Sequence, residues 1–284
     1  MKYVTRTMSA AIVIAMCITI ASIVRADDDQ DSGKGRNRYV VKNLVSDLPG
    51  IAPNTDPVLQ NAWGVTFTPG ASPFWIADNA TGCSTLYDGS GVSQPQATPL
   101  RVKLPLPDGS VPATACQHAD PKNSPDPAPA TPTGLVWNPT TTFLVPGTST
   151  PATFIWDTED GTISAWTGGL TPADQAVLAV DNSAGAVYKG LVFGTNAHGV
   201  FLFATNFRAG TIDVFAPNGS AGFRAATSTE IEGSFTDPKI PAGFAPFGIQ
   251  NINGDLFVTY ALQDTEKHDD VAGRGHDRRR LSIS

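Results

Sequence analysis

Apolar and polar positions alternate along this chain in short runs, and the runs return in the same order. "AWGVTFTP" (Ala62–Pro69) comes back as "PTGLVWNP" (Pro132–Pro139), "YKGLVFGT" (Tyr188–Thr195) and "PFGIQNIN" (Pro246–Asn253). Each copy carries a glycine near its start: Gly64, Gly134, Gly190 and Gly248. A second apolar run follows each time, "FWIADN" (Phe74–Asn79), "FIWDTE" (Phe154–Glu159), "FLFATN" (Phe201–Asn206) and "LFVTY" (Leu256–Tyr260). A third follows a Gly-containing turn in "STLYDGSG" (Ser84–Gly91), "GTISAWTGG" (Gly161–Gly169) and "GTIDVFAPNG" (Gly210–Gly219). "LRVKLPLPDG" (Leu100–Gly109) and "FRAATSTEIEG" (Phe223–Gly233) read as fourth strands. Alternation with period two, bounded by Gly, Pro, Asn and Asp, marks half-buried strands. The best helix candidate is "TPADQAVLAV" (Thr171–Val180), about two turns long.

Four short strands per unit, with the glycines 70, 56 and 58 residues apart, predict an all-β fold, a β-propeller of four-stranded blades. A single four-stranded sheet cannot bury both faces, so the blades must stack around an axis. The glycine in each first strand fits, because innermost strands crowd at the hub and a missing side chain lets backbones approach. A β-sandwich would also bury such strands, but it does not require one strand order to recur. "YVVKNLVSDLPG" (Tyr39–Gly50) is shaped like the fourth strand "LRVKLPLPDG", which suggests that the chain start completes the blade made by the chain end.

The ends are of another kind. Lys2 and Arg6 precede the apolar Ala10–Val24, and Val24-Arg25-Ala26 offers a cleavage site before a polar run, so residues 1–26 read as a signal peptide and 27–38 as a polar linker. The propeller domain is expected over 39–273. Residues 274–284, "RGHDRRRLSIS", carry four arginines and no apolar alternation, and are expected to be a disordered basic tail left by truncation or frameshift. A natural basic tail is the alternative reading.

Cleavage after Ala26 leaves 16 basic against 26 acidic residues, a net charge of −10. Such a surface repels nucleic acid and anionic lipid, so neither nucleic acid nor, after cleavage, a membrane is an expected partner. The expected location is secreted or periplasmic. Two cysteines remain, Cys83 and Cys116. In an exported chain an even count permits a disulfide, with two unpaired thiols as the alternative.

The segments "LVSDLPGIAPNTDPVLQNAWGVTF", "DGTISAW", "VYKGL", "FATNFRAGTIDVF" and "KHDDVAG" resemble an uncharacterised family of exported bacterial proteins with NHL-like or six-bladed propeller repeats. The resemblance runs from about Tyr39 to Gly273. It implies six blades in longer relatives, with about four represented here, and it brings no established activity and no catalytic residue.

Propeller topology places the loops entering the first strands and those linking second to third strands on one rim. That gathers Trp63, Thr133, Lys189 and Phe247 near Asp78, Asn79, Asp157, Glu159, Asn206 and Tyr260, as candidate ligand contacts at a channel mouth. Propeller lactonases and related hydrolases hold a divalent cation at such a mouth. Asp78, Asn79 and Asn206 have the oxygen and amide donors that suit Ca²⁺, although Asp and Asn also serve strand-ending turns. "KHDD" (Lys267–Asp270) reads as a solvated loop, and His198 as a turn residue. His118 stands beside Cys116, where a Cys–His pair is conceivable, but a staple to Cys83 accounts better for the Pro-rich insert. No H-E-x-x-H, P-loop or dinucleotide motif occurs. The expected function is a binding or scaffold module for a protein or carbohydrate, with a metal-assisted lactonase-like or lyase-like enzyme, or a fragment without function, as alternatives.

Overall fold

The computed structural model describes residues 39–118, 120, 127–231, 235 and 237–272, together with the backbone of 277–281. The expected signal peptide and linker lie outside the described residues. Tyr39, Val40 and Val41 are exposed. In the unit from Lys42 onward, the two short strands β1 (Val45–Ser46) and β2 (Asn54–Thr55) pair in parallel.

Four antiparallel sheets follow, each running in chain order from an innermost strand outward. The first holds β3 (Ala62–Thr66), β4 (Phe74–Asp78), β5 (Cys83–Tyr87) and β6 (Val102–Lys103). The second holds β7 (Pro132–Trp137), β8 (Phe154–Thr158), β9 (Thr162–Trp166) and β10 (Val177–Asp181). The third holds β11 (Tyr188–Asn196), β12 (Gly199–Asn206), β13 (Thr211–Pro217) and β14 (Phe223–Ala225). The fourth holds β15 (Phe244–Ile252), β16 (Asp255–Leu262) and β17 (Asp277–Leu281). These are the blades of a β-propeller, and every repeat unit read from the sequence is one of them.

Three segments differ from expectation. "TPADQAVLAV" is not helical: Val177–Asp181 forms β10, and Lys103 exchanges backbone hydrogen bonds with Asp174 and Ala176, tying the outer edge of the first blade to the second. Lys42–Gly50 contributes no strand to the fourth blade. The Asn54 side chain donates to Leu44 O (2.9 Å) and Ser90 O (3.0 Å), which clamps this segment against the first blade instead. The segment expected to be a disordered tail supplies the backbone of β17, with Leu281 opposite Leu256 and Asp277 opposite Tyr260. A ladder needs only main-chain groups, so an arginine run can extend an open edge without apolar alternation.

Between blades lie three apolar layers. Trp75 and Leu86 meet Leu135, Phe154 and Trp156 between the first and second. Ile155 and Ile163 meet Tyr188, Leu191 and Leu202 between the second and third. Val192, Phe203 and Ile212 meet Ile249, Leu256 and Val258 between the third and fourth. Trp75 stacks on Phe154 at 4.1 Å between centroids and lies 5.0 Å from Trp166. Each large side chain buried this way stabilises the stack by about 1.5–3 kcal/mol. Trp137 packs against the first layer only in part. As the sequence allowed, Cys83 and Cys116 form a disulfide, with Cα atoms 5.0 Å apart and a separation of 33 positions in sequence. Closing the loop between these two positions contributes about 3–4 kcal/mol in a chain-entropy account.

The repeated glycines are where blades touch. A Cβ on Gly64 would lie 2.6 Å from Thr133 O and 2.7 Å from Leu135 N; one on Gly134 would lie 2.5 Å from Leu191 N. Gly190 is likewise close to Phe247 O and Ile249 N, at 3.1 and 3.2 Å. Gly248 differs, since its nearest neighbour is Thr259 Oγ1 of its own blade, at 3.1 Å. Gly134→Ala is therefore expected to cost about 1–3 kcal/mol in urea unfolding, while Gly248→Ala costs well under about 1 kcal/mol, because only backbone overlap forces blades apart. Equal losses at the two positions would contradict this account of the hub.

Candidate functional site at the hub

Every innermost strand carries a bulge at the same place. Two residues of the first strand oppose one of the second: Trp63–Gly64 against Ala77, Thr133–Gly134 against Asp157, Lys189–Gly190 against Thr205, and Phe247–Gly248 against Thr259. A bulge breaks the ladder locally and re-aims a side chain. Its unpaired backbone groups are met by side chains of the second strand. Asp157 Oδ1 accepts from Gly134 N and Thr259 Oγ1 accepts from Gly248 N at 2.9 Å, while Thr205 Oγ1 of the third blade donates across to Phe247 O of the fourth.

The residues preceding the bulge glycines converge. Trp63, Thr133, Lys189, Phe247 and Gln250, with the four glycines, line a recess of about 350 Å³. The Trp63 and Phe247 rings are 5.6 Å apart. The Lys189 ammonium lies 5.4 Å from the Trp63 ring, 5.7 Å from Phe207 and 5.8 Å from Phe247. It also donates to Glu159 Oε1 and stands 3.6 Å from Asp269 Oδ1, with its side chain only 1% exposed. Cation–π attraction and two carboxylates together offset the cost of removing this charge from water. Glu159 is held in turn. Asn79 Nδ2 donates to Glu159 Oε2 at 2.9 Å, Asn61 Nδ2 to Asn79 Oδ1 at 2.9 Å, and Trp63 Nε1 to Asn61 Oδ1 at 3.2 Å.

Of the rim residues expected from the sequence, Trp63, Asn79, Glu159 and Lys189 thus come together. The others do not. Asp78, Asn206 and Tyr260 share one register position, opposite the residue just before the bulge in their blades, at Ala62, Tyr188 and Pro246. Asn206 donates to Asp213 Oδ2 at 2.9 Å and accepts from Val187 N and Ala209 N, closing the turn of its blade. Tyr260 packs in the layer between the third and fourth blades. Asp78 is fully buried with neither oxygen hydrogen-bonded, in a group where Tyr87 and Arg101 both donate to Asp56. Burial, with the Asp56 charge adding to it, holds its carboxyl well above the usual range. The trio expected to hold Ca²⁺ is divided: Asp78 is buried within its own blade, Asn79 is bonded to Glu159 and Asn206 to Asp213, so the three do not form a ligand set.

Asp157 supports the bulge below the recess. Burial pushes its carboxyl up to about 7, against the lowering effect of its bonds from Thr133 and Gly134. The bonding agrees with a neutral carboxyl. Thr133 Oγ1 lies 2.9 Å from both Asp157 Oδ1 and Tyr188 O yet has one hydrogen, so a protonated Asp157 completes the set.

Two groups of the site escaped the sequence reading. Phe207 occupies in the third blade the position that Asn79 and Glu159 hold in the first and second, and the repeat alignment contained that signal. His268 and Asp269, read as a solvated loop, reach the mouth: His268 Nδ1 is 3.2 Å from Asp269 Oδ1, and donor atoms of Glu159, His268 and Asp269 lie within 4.8 Å of one another. Lys189 already neutralises both carboxylates of this group, so a divalent ion would have to displace its ammonium. The donor set is already engaged by the lysine. A larger recess of about 680 Å³ beside Cys116 lies away from the hub, and its cations Arg101 and Lys103 are paired with Asp56 and Asp174.

No family model matches the chain, so the likeness in its motifs stays a likeness. An uncharacterized protein of Acanthamoeba polyphaga mimivirus is 27% identical over 230 residues, covering 80% of this chain and 50% of that protein. The chain thus spans about half the length of the relative it matches. Among solved structures, virginiamycin B lyase from Staphylococcus aureus aligns with a TM-score of 0.43 at 14% identity, covering 83% of this chain and 58% of that one. A streptogramin B lyase aligns with a TM-score of 0.36 at 14% identity, covering 79% and 69%.

Two outcomes follow from the geometry. Lys189→Met, which strands the Glu159 charge, should lower stability by about 3–5 kcal/mol, and adding Glu159→Gln should restore more than half of the loss; additive losses in unfolding titrations would show that the pair is not coupled. The second concerns pH. The folded-state carboxyl of Asp157 is raised above its unfolded value, so its contribution is favourable below about pH 4 and is lost as pH rises toward 7. Asp157→Asn should therefore narrow the difference in unfolding midpoint between pH 5 and pH 8, and an unchanged difference would mean that Asp157 is ionised in the native protein.

Proposed function

We propose that the protein is an exported β-propeller binding module whose hub recess takes a carbohydrate. The observation that carries this reading is the pair of Trp63 and Phe247 rings, 5.6 Å apart, at a recess of about 350 Å³. A recess of this size suits a small ligand. Aromatic faces stack on the apolar faces of sugar rings, while the Gln250 amide in the recess lining offers a donor and an acceptor for hydroxyls. A large protein partner would find less of its surface engaged by so narrow a feature. Export is supported by the apolar segment after Lys2 and Arg6 and by the Cys83–Cys116 disulfide, which belongs to oxidising compartments. Among the described residues, no helix is long and apolar enough to cross a membrane.

The reading is tested by titrating a panel of neutral oligosaccharides into the protein in a calorimeter. Binding of at least one member is expected, with affinity reduced about tenfold or more by Trp63→Ala and unchanged by calcium or a chelator. A panel without a binder, or binding indifferent to Trp63→Ala, would sink the proposal. A strict calcium requirement would favour the metal-assisted reading instead.

A further inference from the structure

The charges at the mouth of the recess are unequal in number and in access. Lys189 contacts both Glu159 and Asp269, yet it brings one positive charge to two carboxylates. Its ammonium is bonded to Glu159 and its side chain is 1% exposed, so that charge is taken up within the protein. Glu159 is closed off in the same way, with a side chain 9% exposed, Oε1 on Lys189 and Oε2 accepting from Asn79. Asp269 is the opposite case, with a side chain 69% exposed. The Lys189 ammonium at 3.6 Å and His268 Nδ1 at 3.2 Å both approach its Oδ1. Among the described residues, no hydrogen bond reaches its Oδ2.

The loop holds this carboxylate in place. Asp264 N donates to Asp269 O, His268 N to Asp264 Oδ1 and Val271 N to Leu262 O, each at 2.9 Å. Gln263 Nε2 donates to Phe207 O and so ties the start of the loop to the third blade. A group fixed before its ligand arrives loses little freedom on binding. The Trp63 and Phe247 rings lie 5.4 and 5.8 Å from the ammonium that Asp269 approaches. Ring pair and exposed carboxylate therefore stand within one disaccharide of each other.

We propose that the hub recess selects amino sugars, with a sugar ring on Trp63 and Phe247 and its protonated amine on Asp269. The inference rests on the carbohydrate reading and adds the charge class of the ligand. An ammonium meets a preset carboxylate and the negative faces of two aromatic rings, all of which favour a cation. A uronate meets the reverse, since the exposed carboxylate repels it and the lysine is already bonded to Glu159. A neutral sugar gains the stacking without a charge-assisted bond.

Calorimetric titrations at pH 6 compare a disaccharide of glucosamine, its N-acetylated form and a disaccharide containing glucuronate. The amine should bind about tenfold or more tightly than the N-acetylated form, the gain a hydrogen bond to an ionised group supplies, and the uronate more weakly than either. Asp269→Asn keeps the backbone bond from Asp264 and leaves Glu159 to hold Lys189. It should erase the preference while the N-acetylated sugar binds as before. In the unsubstituted protein, salt at about 1 M should shrink the preference by screening an exposed charge, which does not depend on how the variant folds. Equal affinity for the amine and its N-acetylated form, both lost in Trp63→Ala, would overturn the charge selection and leave the carbohydrate reading standing. A preference that survives Asp269→Asn, or tighter binding of the uronate, would overturn it as well. Silence from all three sugars would also overturn it, and the carbohydrate reading falls with it only if the neutral panel is silent too.

Discussion

The structure depends on the approach of one innermost strand to the next, and a glycine is what permits it. At Gly64 and Gly134 a single added carbon would fall within 2.7 Å of the next blade's backbone. No rotamer change relieves such an overlap, because the obstacle is main chain. The glycine sits inside a bulge, and the bulge also turns the preceding side chain toward the axis. Packing and site are thus one device. The step that lets blades close up is the step that delivers Trp63, Thr133, Lys189 and Phe247 to a common recess.

That device was legible in the sequence because it repeats. Four Gly-bearing segments with the same apolar runs behind them were enough to give strand order, blade composition and the convergence of the residues before the glycines. The choice of facing among the second-strand residues was not legible. Asp78, Asp157 and Glu159 are all acids near the end of a second strand, yet Asp78 turns into its own blade, Asp157 lies under a bulge, and only Glu159 reaches the mouth. A bulge shifts the alternation by one on the first strand alone, so parity counted along the second strand does not tell which first-strand residue it meets. Position relative to the bulge does, and by that measure Phe207 aligns with Asn79 and Glu159.

Other failures have simpler causes. Pattern reading of "TPADQAVLAV" as helical missed that an outer strand needs little more than backbone pairing and one apolar side. The arginine-rich end was discounted for the same reason, although its backbone extends the open edge of β16. Outermost strands carry the weakest sequence signal in this fold, since they touch a neighbour on one side and solvent on the other.

The electrostatics of the hub follow from its burial. Three aromatic faces and two carboxylates define a place where positive charge is favoured, and the chain supplies that charge itself through Lys189. A lysine on a strand is fixed by the fold and leaves the recess with a permanent, directional donor. A mobile divalent ion would have to match the gain of the existing pair and also cover the cost of displacing the ammonium. One bulge below, Asp157 meets the same loss of solvent without a cation beside it, and there the balance tips the other way, toward a carboxyl that keeps its proton. Two acids two residues apart thus meet unlike settings, Glu159 against an ammonium group and Asp157 buried against Thr133 and the Gly134 amide.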